Sequence, residues 1–182
     1  VRAYLAIAMG ATRDTFYEDE LIAGLNDEDR ESRLAAIQAV GMVRASSSIK
    51  KLEKIATSSD YQDERLAATM SLGFIGNSNS IPTLNKLLND HEANIRWDAA
   101  IALAKMGEKS SIPIIENLMD RDYLMTFPEL DYNEITKVIL IAIETSSLVA
   151  DSKFEPKLTK LASSDVNLKR RDAAIKTLKS NY

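Results

Sequence analysis

Between Ser80 and Gly107 the chain reads SIPTLNKLLNDHEANIRWDAAIALAKMG. Apolar residues return there at intervals of three and four in two successive stretches separated by a short polar turn, the pattern of two amphipathic helices. Weaker copies recur along almost the whole sequence. First helices are predicted over Glu18 to Leu25, Ile49 to Ala56, Ile81 to Leu88, Ile112 to Met119 and Phe154 to Ala162. Second helices open on Arg2, Arg33, Arg65, Arg96, Thr136 and Arg170, with Thr replacing Arg in the fifth. These openings fall roughly 31 to 40 residues apart, a period that signals stacked units, none of which buries its apolar face alone. The pattern predicts an all-α protein, an α-solenoid of about five to six helical hairpins, with residues 1–182 as one repeat domain. Val1 and Arg2 match the opening of a second helix, so we expect a first unit without its first helix, in a piece of a longer chain.

Local signals agree with this division. Pro82, Pro113 and Pro156 fall in the first turn of a predicted helix, where a missing N–H is harmless and the fixed φ suits the helix. Ser80 and Ser111 precede two of them as candidate N-caps. Asp27, Asp60, Asp90, Asp131 and Asp165 sit in the turns before second helices, where a carboxylate can cap orphan N–H groups. Ala35, Ala36 and Ala39, then Ala67 and Ala68, then Ala99, Ala100 and Ala102 keep the second helices slim. Gly10, Gly41 and Gly73 share one position, eight residues after the arginine. A glycine there costs a helix about 1 kcal/mol relative to alanine, so close packing against the next unit is the expected compensation.

The runs SIPTLNKLLND and NIRWDAAIALAKMG resemble the HEAT-like repeat of the phycobilisome-lyase type. That repeat has an Ile-Pro-x-Leu first helix and a Val-Arg-x-x-Ala-Ala-x-Ala-Leu-Gly second helix. The likeness covers about five units and is strongest from Arg33 to Gly107. It implies an armadillo-type right-handed superhelix whose second helices line the concave side. Repeats of this type serve scaffolds, adaptors, chromophore lyases and a few enzymes, so the resemblance leaves the activity open.

Composition narrows the chemistry. A net charge of -4 and a pI near 5.2 argue against an extended phosphate-binding surface, which needs Lys and Arg in excess. With no cysteine, disulfides, thiolate metal sites and cysteine nucleophiles are excluded, and a reducing compartment such as the cytoplasm is the expectation. No apolar stretch is long enough to span a bilayer. The single histidine, His91, lies beside Glu92 in a turn, and a metal site needs several convergent ligands. No phosphate loop or nucleophile elbow is present, so we expect no catalytic residue, metal or cofactor. The basic run Lys169, Arg170 and Arg171, with Lys176 and Lys179, reads as a solvated end suited to the helix dipole.

Two features remain after the core is assigned. Positions one and five after the arginine lie opposite the predicted core, yet they are apolar. With the nearby ninth position they give Leu34, Met42, Leu66, Met70, Phe74, Trp97 and Ile101, a candidate partner-binding ridge across three units. The second feature is an insertion at 121–134, carrying Tyr123, Phe127 and Tyr132 as possible contacts. It either packs on the array or meets a partner. The leading expectation is a non-enzymatic scaffold that binds another protein or peptide. The alternative, carried by the resemblance alone, is a phycobilin-lyase-like chromophore-binding protein.

Overall fold

The computed structural model describes residues 1–181, and among them every regular element is helical. The chain is an all-α solenoid, and it divides into two compact units at Ala102 and Leu103. The first contains α1 (Arg2–Thr12), α2 (Glu18–Gly24), α3 (Arg30–Met42), α4 (Ile49–Ser58), α5 (Gln62–Ile75), α6 (Ile81–Leu87) and most of α7 (Ala93–Lys105). The second contains α8 (Ile112–Leu118), α9 (Arg121–Leu124), α10 (Tyr132–Val149), α11 (Glu155–Ser164) and α12 (Leu168–Asn181).

Within the first unit α2, α4 and α6 are first helices, and α1, α3, α5 and α7 are second helices. Leu21, Leu52 and Leu84 of the first helices are at most 1% exposed, as are Ile37 and Leu72 of the second helices α3 and α5, against which α2 and α4 pack. Each such burial contributes about 1.5–3 kcal/mol. The second helices stack on one another through their smallest residues. A methyl placed on Gly10 would stand 2.8 Å from Ala39, one on Gly41 would stand 2.5 Å from Ser71 Oγ, and one on Gly73 would stand 2.8 Å from Ala102 Cβ. The glycines are therefore fixed by approach, and Ser71 adds a hydrogen bond from its Oγ to the Ile37 carbonyl at 2.7 Å.

The turns between helices are closed by bonds that the sequence pattern leaves partly hidden. Each arginine reaches back six residues. Arg33 donates to the carbonyls of Asp27 and Glu28 at 2.9 and 3.0 Å, Arg65 to Ser59 at 3.0 Å, and Arg96 to Asp90 and His91 at 2.8 and 3.0 Å. The bonds tie the first turn of each second helix to the loop that precedes it. In the last hairpin the same bond, 2.8 Å to the Asp165 carbonyl, comes from Arg171. The equivalent arginine is thus Arg171, one residue later than the spacing predicts, while Arg170 points inward and is fully buried.

The predicted caps are also revised. Ser80 and Ser111 cap no helix N–H. They are buried, and their hydroxyls donate to the carbonyls of Asn77 and Glu108 at 2.6 Å, closing a 3-10 turn before the proline-bearing helix. Ser48 does the same with Ala45 at 2.7 Å. Among the predicted capping acids only Asp131 caps a helix, in a reciprocal box with Glu134. Asp27, Asp90 and Asp165 instead each accept a backbone N–H two residues on, and α3 is capped by Asp29.

In the second unit α8 buries Ile112, Ile115 and Leu118, and α11 packs on α12 through Leu158. The insertion forms the short α9, capped by Asp120. Its Leu124 is completely buried, so part of the loop serves as core.

Candidate interaction surface

On α3, α5 and α7 the positions that face away from the first helices carry the predicted ridge. None of its seven residues is fully buried. Met42, Met70 and Phe74 are 46%, 43% and 49% exposed, whereas Leu34, Leu66, Trp97 and Ile101 are half-buried. The neighbouring alanines are buried, as expected if short side chains set the spacing of the helices and longer ones stand outside it. Of the insertion contacts, Tyr123 and Phe127 are half-buried and meet edge to face at 5.3 Å, while Tyr132 is 50% exposed and its hydroxyl accepts from Asn167 Nδ2 at 3.3 Å.

Polar side chains staple successive hairpins at the turn end of the first unit. Arg2 binds Asp27 with two contacts of 2.6 and 2.9 Å, Arg30 binds Asp63, and Arg33 reaches Glu64 at 2.9 Å. The hydrogen bond from Arg2 holds Asp27 below the usual carboxylate range, and the bond from Arg30 does the same for Asp63. Tyr61 lies under the Arg30 guanidinium at 4.4 Å, a contact with no signal in the repeat pattern.

His91 belongs to this row. Its Nε2 lies 3.2 Å from Arg65 Nη2, and because guanidinium only donates, that nitrogen is the acceptor. No group of His, Asp and Glu among the described residues has the arrangement needed to hold a metal ion. Three members of the basic cluster on α12 have partners within the chain, while Lys169 and Lys179 are exposed. Arg170 lies 2.9 Å from Asp165, Arg171 closes its own turn, and Lys176 pairs with Asp172.

Two concave places lie outside the predicted sites. In the second unit a pocket of about 220 Å³ lies beside Asp120, Lys157 and Lys160. Burial opposes the charge of Asp120, but Lys157 at 3.1 Å and two backbone N–H groups outweigh it, so its pKa is lowered. In the first unit a groove of about 340 Å³ runs between α1 and α2, with Leu5, Met9 and Glu20 on its walls. The only sequence signal for it is that Leu5 and Met9 occupy core positions of a second helix.

The model of HEAT repeats matches residues 1–73 and 49–124, together more than half of the chain. This protein belongs to the HEAT-repeat family. Among solved structures the HEAT array is similar to the complex of CpcE and CpcF of phycocyanin lyase from Nostoc sp. PCC7120, with a TM-score of 0.68 and 19% identity over 88% of this chain and 63% of that one. It is similar also to YibA of Escherichia coli, with a TM-score of 0.65 and 18% identity over 96% of this chain and 61% of that one. A designed armadillo repeat protein in complex with the peptide (KR)4 gives a TM-score of 0.56 at 18% identity, covering 100% of this chain and 90% of that one. The chain therefore spans less than two thirds of the first two structures. No curated protein matches its sequence. These likenesses establish the solenoid fold and no shared chemistry. No helix among the described residues is long and apolar enough to cross a membrane.

Proposed function

We propose that the protein is a non-enzymatic interaction module that holds a partner polypeptide against the outward face of α3, α5 and α7. The observation that carries this reading is the placement of large apolar side chains at seven of the nine positions one, five and nine after Arg33, Arg65 and Arg96, with Gln38 and Lys105 as the two polar exceptions. Met42, Met70 and Phe74 remain about half exposed where a solvated helix face ordinarily carries charge. Methionine adapts to different partner shapes, and the aromatic residues Phe74 and Trp97 supply anchors of the type that dominate interface energetics. The HEAT fold suits this role, since stacked hairpins present an extended surface. Two of the similar structures are themselves assemblies with a protein or peptide.

Affinity on this face rests on apolar burial, at about 25 cal/mol per Å² before the cost of association, so it should depend little on salt. The test is affinity capture from the native host with wild type, Trp97→Ala and Phe74→Ala, quantified by mass spectrometry. A true partner is expected to lose about 2 kcal/mol, near 30-fold in affinity, on truncation of an anchor. Equal recovery of every partner by three folded proteins refutes the proposal. A bilin titration separates the chromophore-lyase alternative, since that role requires a spectral change at micromolar protein.

A further inference from the structure

We propose that the pocket lined by α9, α11 and α12 binds a phosphate group, free or carried on a small molecule, with Arg170 as its buried donor. The site is separate from the ridge and does not depend on it.

The last hairpin carries an arginine that closing its turn does not use. Arg171 donates to the Asp165 carbonyl, as Arg33, Arg65 and Arg96 donate within their own hairpins. The residue before each of those three arginines is buried, and it is Ser32, Glu64 or Ile95. Arg170 puts a full positive charge at that position and is itself fully buried. Asp165 neutralises the charge but occupies only part of the fork. Nε and Nη2 lie 3.1 and 2.9 Å from one and the same oxygen of Asp165, the latter too poorly aligned for a hydrogen bond. Nη1 meets no acceptor among the described residues. The Tyr132 ring, 6.0 Å from Cζ, steadies the cation without supplying an oxygen. Buried donors are nearly always paired, and this arginine lines a cavity that admits an acceptor.

The cavity of about 220 Å³ supplies the charge. Its walls belong to two successive hairpins that Lys157 ties together, donating to the Glu116 carbonyl at 2.9 Å and pairing with Asp120 at 3.1 Å. Four cations, Arg121, Lys157, Lys160 and Arg170, line it against three carboxylates, Asp120, Asp122 and Asp165. With the Lys157–Asp120 and Arg170–Asp165 pairs set aside, Arg121 and Lys160 remain, both exposed and without an ion pair among the described residues, against Asp122 alone. The cavity thus holds an excess of positive charge in a chain whose net charge is -4. That excess selects an anion. Arg121, Lys160 and Arg170 come from three different helices, α9, α11 and α12. A carboxylate presents two oxygens and satisfies a single guanidinium fork, whereas a phosphate presents at least three and can accept from all three side chains. Arg170 adds what the exposed pair cannot, a donor already dehydrated and held in place by Asp165, so that little order is lost when the bond forms.

The test is a titration of the nitrogen-15-labelled protein with inorganic phosphate, followed in proton–nitrogen correlation spectra at an ionic strength held constant with sodium chloride. Saturable shifts are expected at the amides of Asp120, Arg121 and Asp122 and at the Arg170 Nε–H, with one Kd of about 1 mM. Glycerol phosphate, titrated in the same way, assigns the source: tighter binding than inorganic phosphate marks a small phosphomonoester, and weaker binding marks the free ion. Lys160→Gln and Arg121→Gln should each weaken the affinity about three- to tenfold, and Asp122→Asn should strengthen it about threefold. Arg170→Lys keeps a charge beside Asp165 but loses the fork, and should weaken binding at least about tenfold. Trp97→Ala should leave it unchanged, which separates this site from the ridge. If Arg170→Lys loses its circular dichroism, the exposed Lys160 and Arg121 variants carry the decision. Shifts that fail to saturate by about 50 mM phosphate, affinity indifferent to both Lys160→Gln and Arg121→Gln, or acetate bound as tightly as phosphate overturns the proposal.

Discussion

Replacing Gly73 with alanine tests whether the second helices are spaced by contact rather than by propensity. The new methyl would stand 2.8 Å from Ala102 Cβ, whereas ordinary contact begins at 3.4 Å, so α5 and α7 must part by about 0.6 Å. Overpacking of this size in a tight interface costs about 2–3 kcal/mol, and alanine returns about 1 kcal/mol of helix propensity. The net expectation is a loss of about 1–2 kcal/mol, or roughly 3–6 °C in a chain of this length. Urea unfolding followed at 222 nm measures it, with an unchanged slope showing that the native state stays compact. The decisive variant is the swap Gly73→Ala with Ala102→Gly. Ala102 Cα lies 3.5 Å from the added methyl, so removing the opposing Cβ relieves the clash without moving either backbone. The pair should lie within about 0.5 kcal/mol of wild type, with a favourable coupling of at least about 1 kcal/mol. If the two changes simply add, or if Gly73→Ala alone stabilises, the spacing argument is wrong.

Three further outcomes follow from polar contacts. Glu64 is 5% exposed and accepts from Arg33 at 2.9 and 3.1 Å and from Ser59 at 2.7 Å, so Glu64→Ala should cost about 3 kcal/mol and Glu64→Gln markedly less in the same urea assay. Arg170→Leu should cost about 3–5 kcal/mol by stranding Asp165, and adding Asp165→Asn should recover most of it, because Asn167 N–H at 2.7 Å can still be accepted. Asp27, Asp29, Asp63, Asp120 and Asp151 all have lowered pKa values. A carboxyl depressed on folding stabilises above its unfolded value and stops doing so as pH falls through its folded value. Urea midpoints should therefore decline as pH drops below about 4, and a midpoint indifferent to pH from 5 to 2 would refute these assignments.

The hairpins were legible because a few residue types punctuate them: proline in a first turn, alanine on the packed face, glycine at closest approach, arginine at the turn. What stayed hidden depends on neighbours distant in sequence. Arg170 and Arg171 are adjacent and chemically alike, so spacing could not tell the clamp from the buried ion pair; only Asp165 distinguishes them. Ser80 looks like a cap because serine caps often, yet the 3-10 turn before it gives its hydroxyl a carbonyl to bind instead. The ridge residues were found by exclusion from the core. The groove at α1 was not, because Leu5 and Met9 read as ordinary core residues until the unoccupied space beside them is known.

Two classes of bond hold the first unit, and they act at different scales. The arginine clamps of Arg33, Arg65 and Arg96 close on carbonyls of their own hairpin, whereas Gly10, Gly41 and Gly73 and the Arg33–Glu64 pair join one hairpin to the next. In a one-dimensional chain of coupled elements the first kind sets how readily a module forms and the second how far its order propagates. Weakening a glycine contact should thus broaden melting into stepwise fraying, whereas losing a clamp should lower a transition that stays sharp.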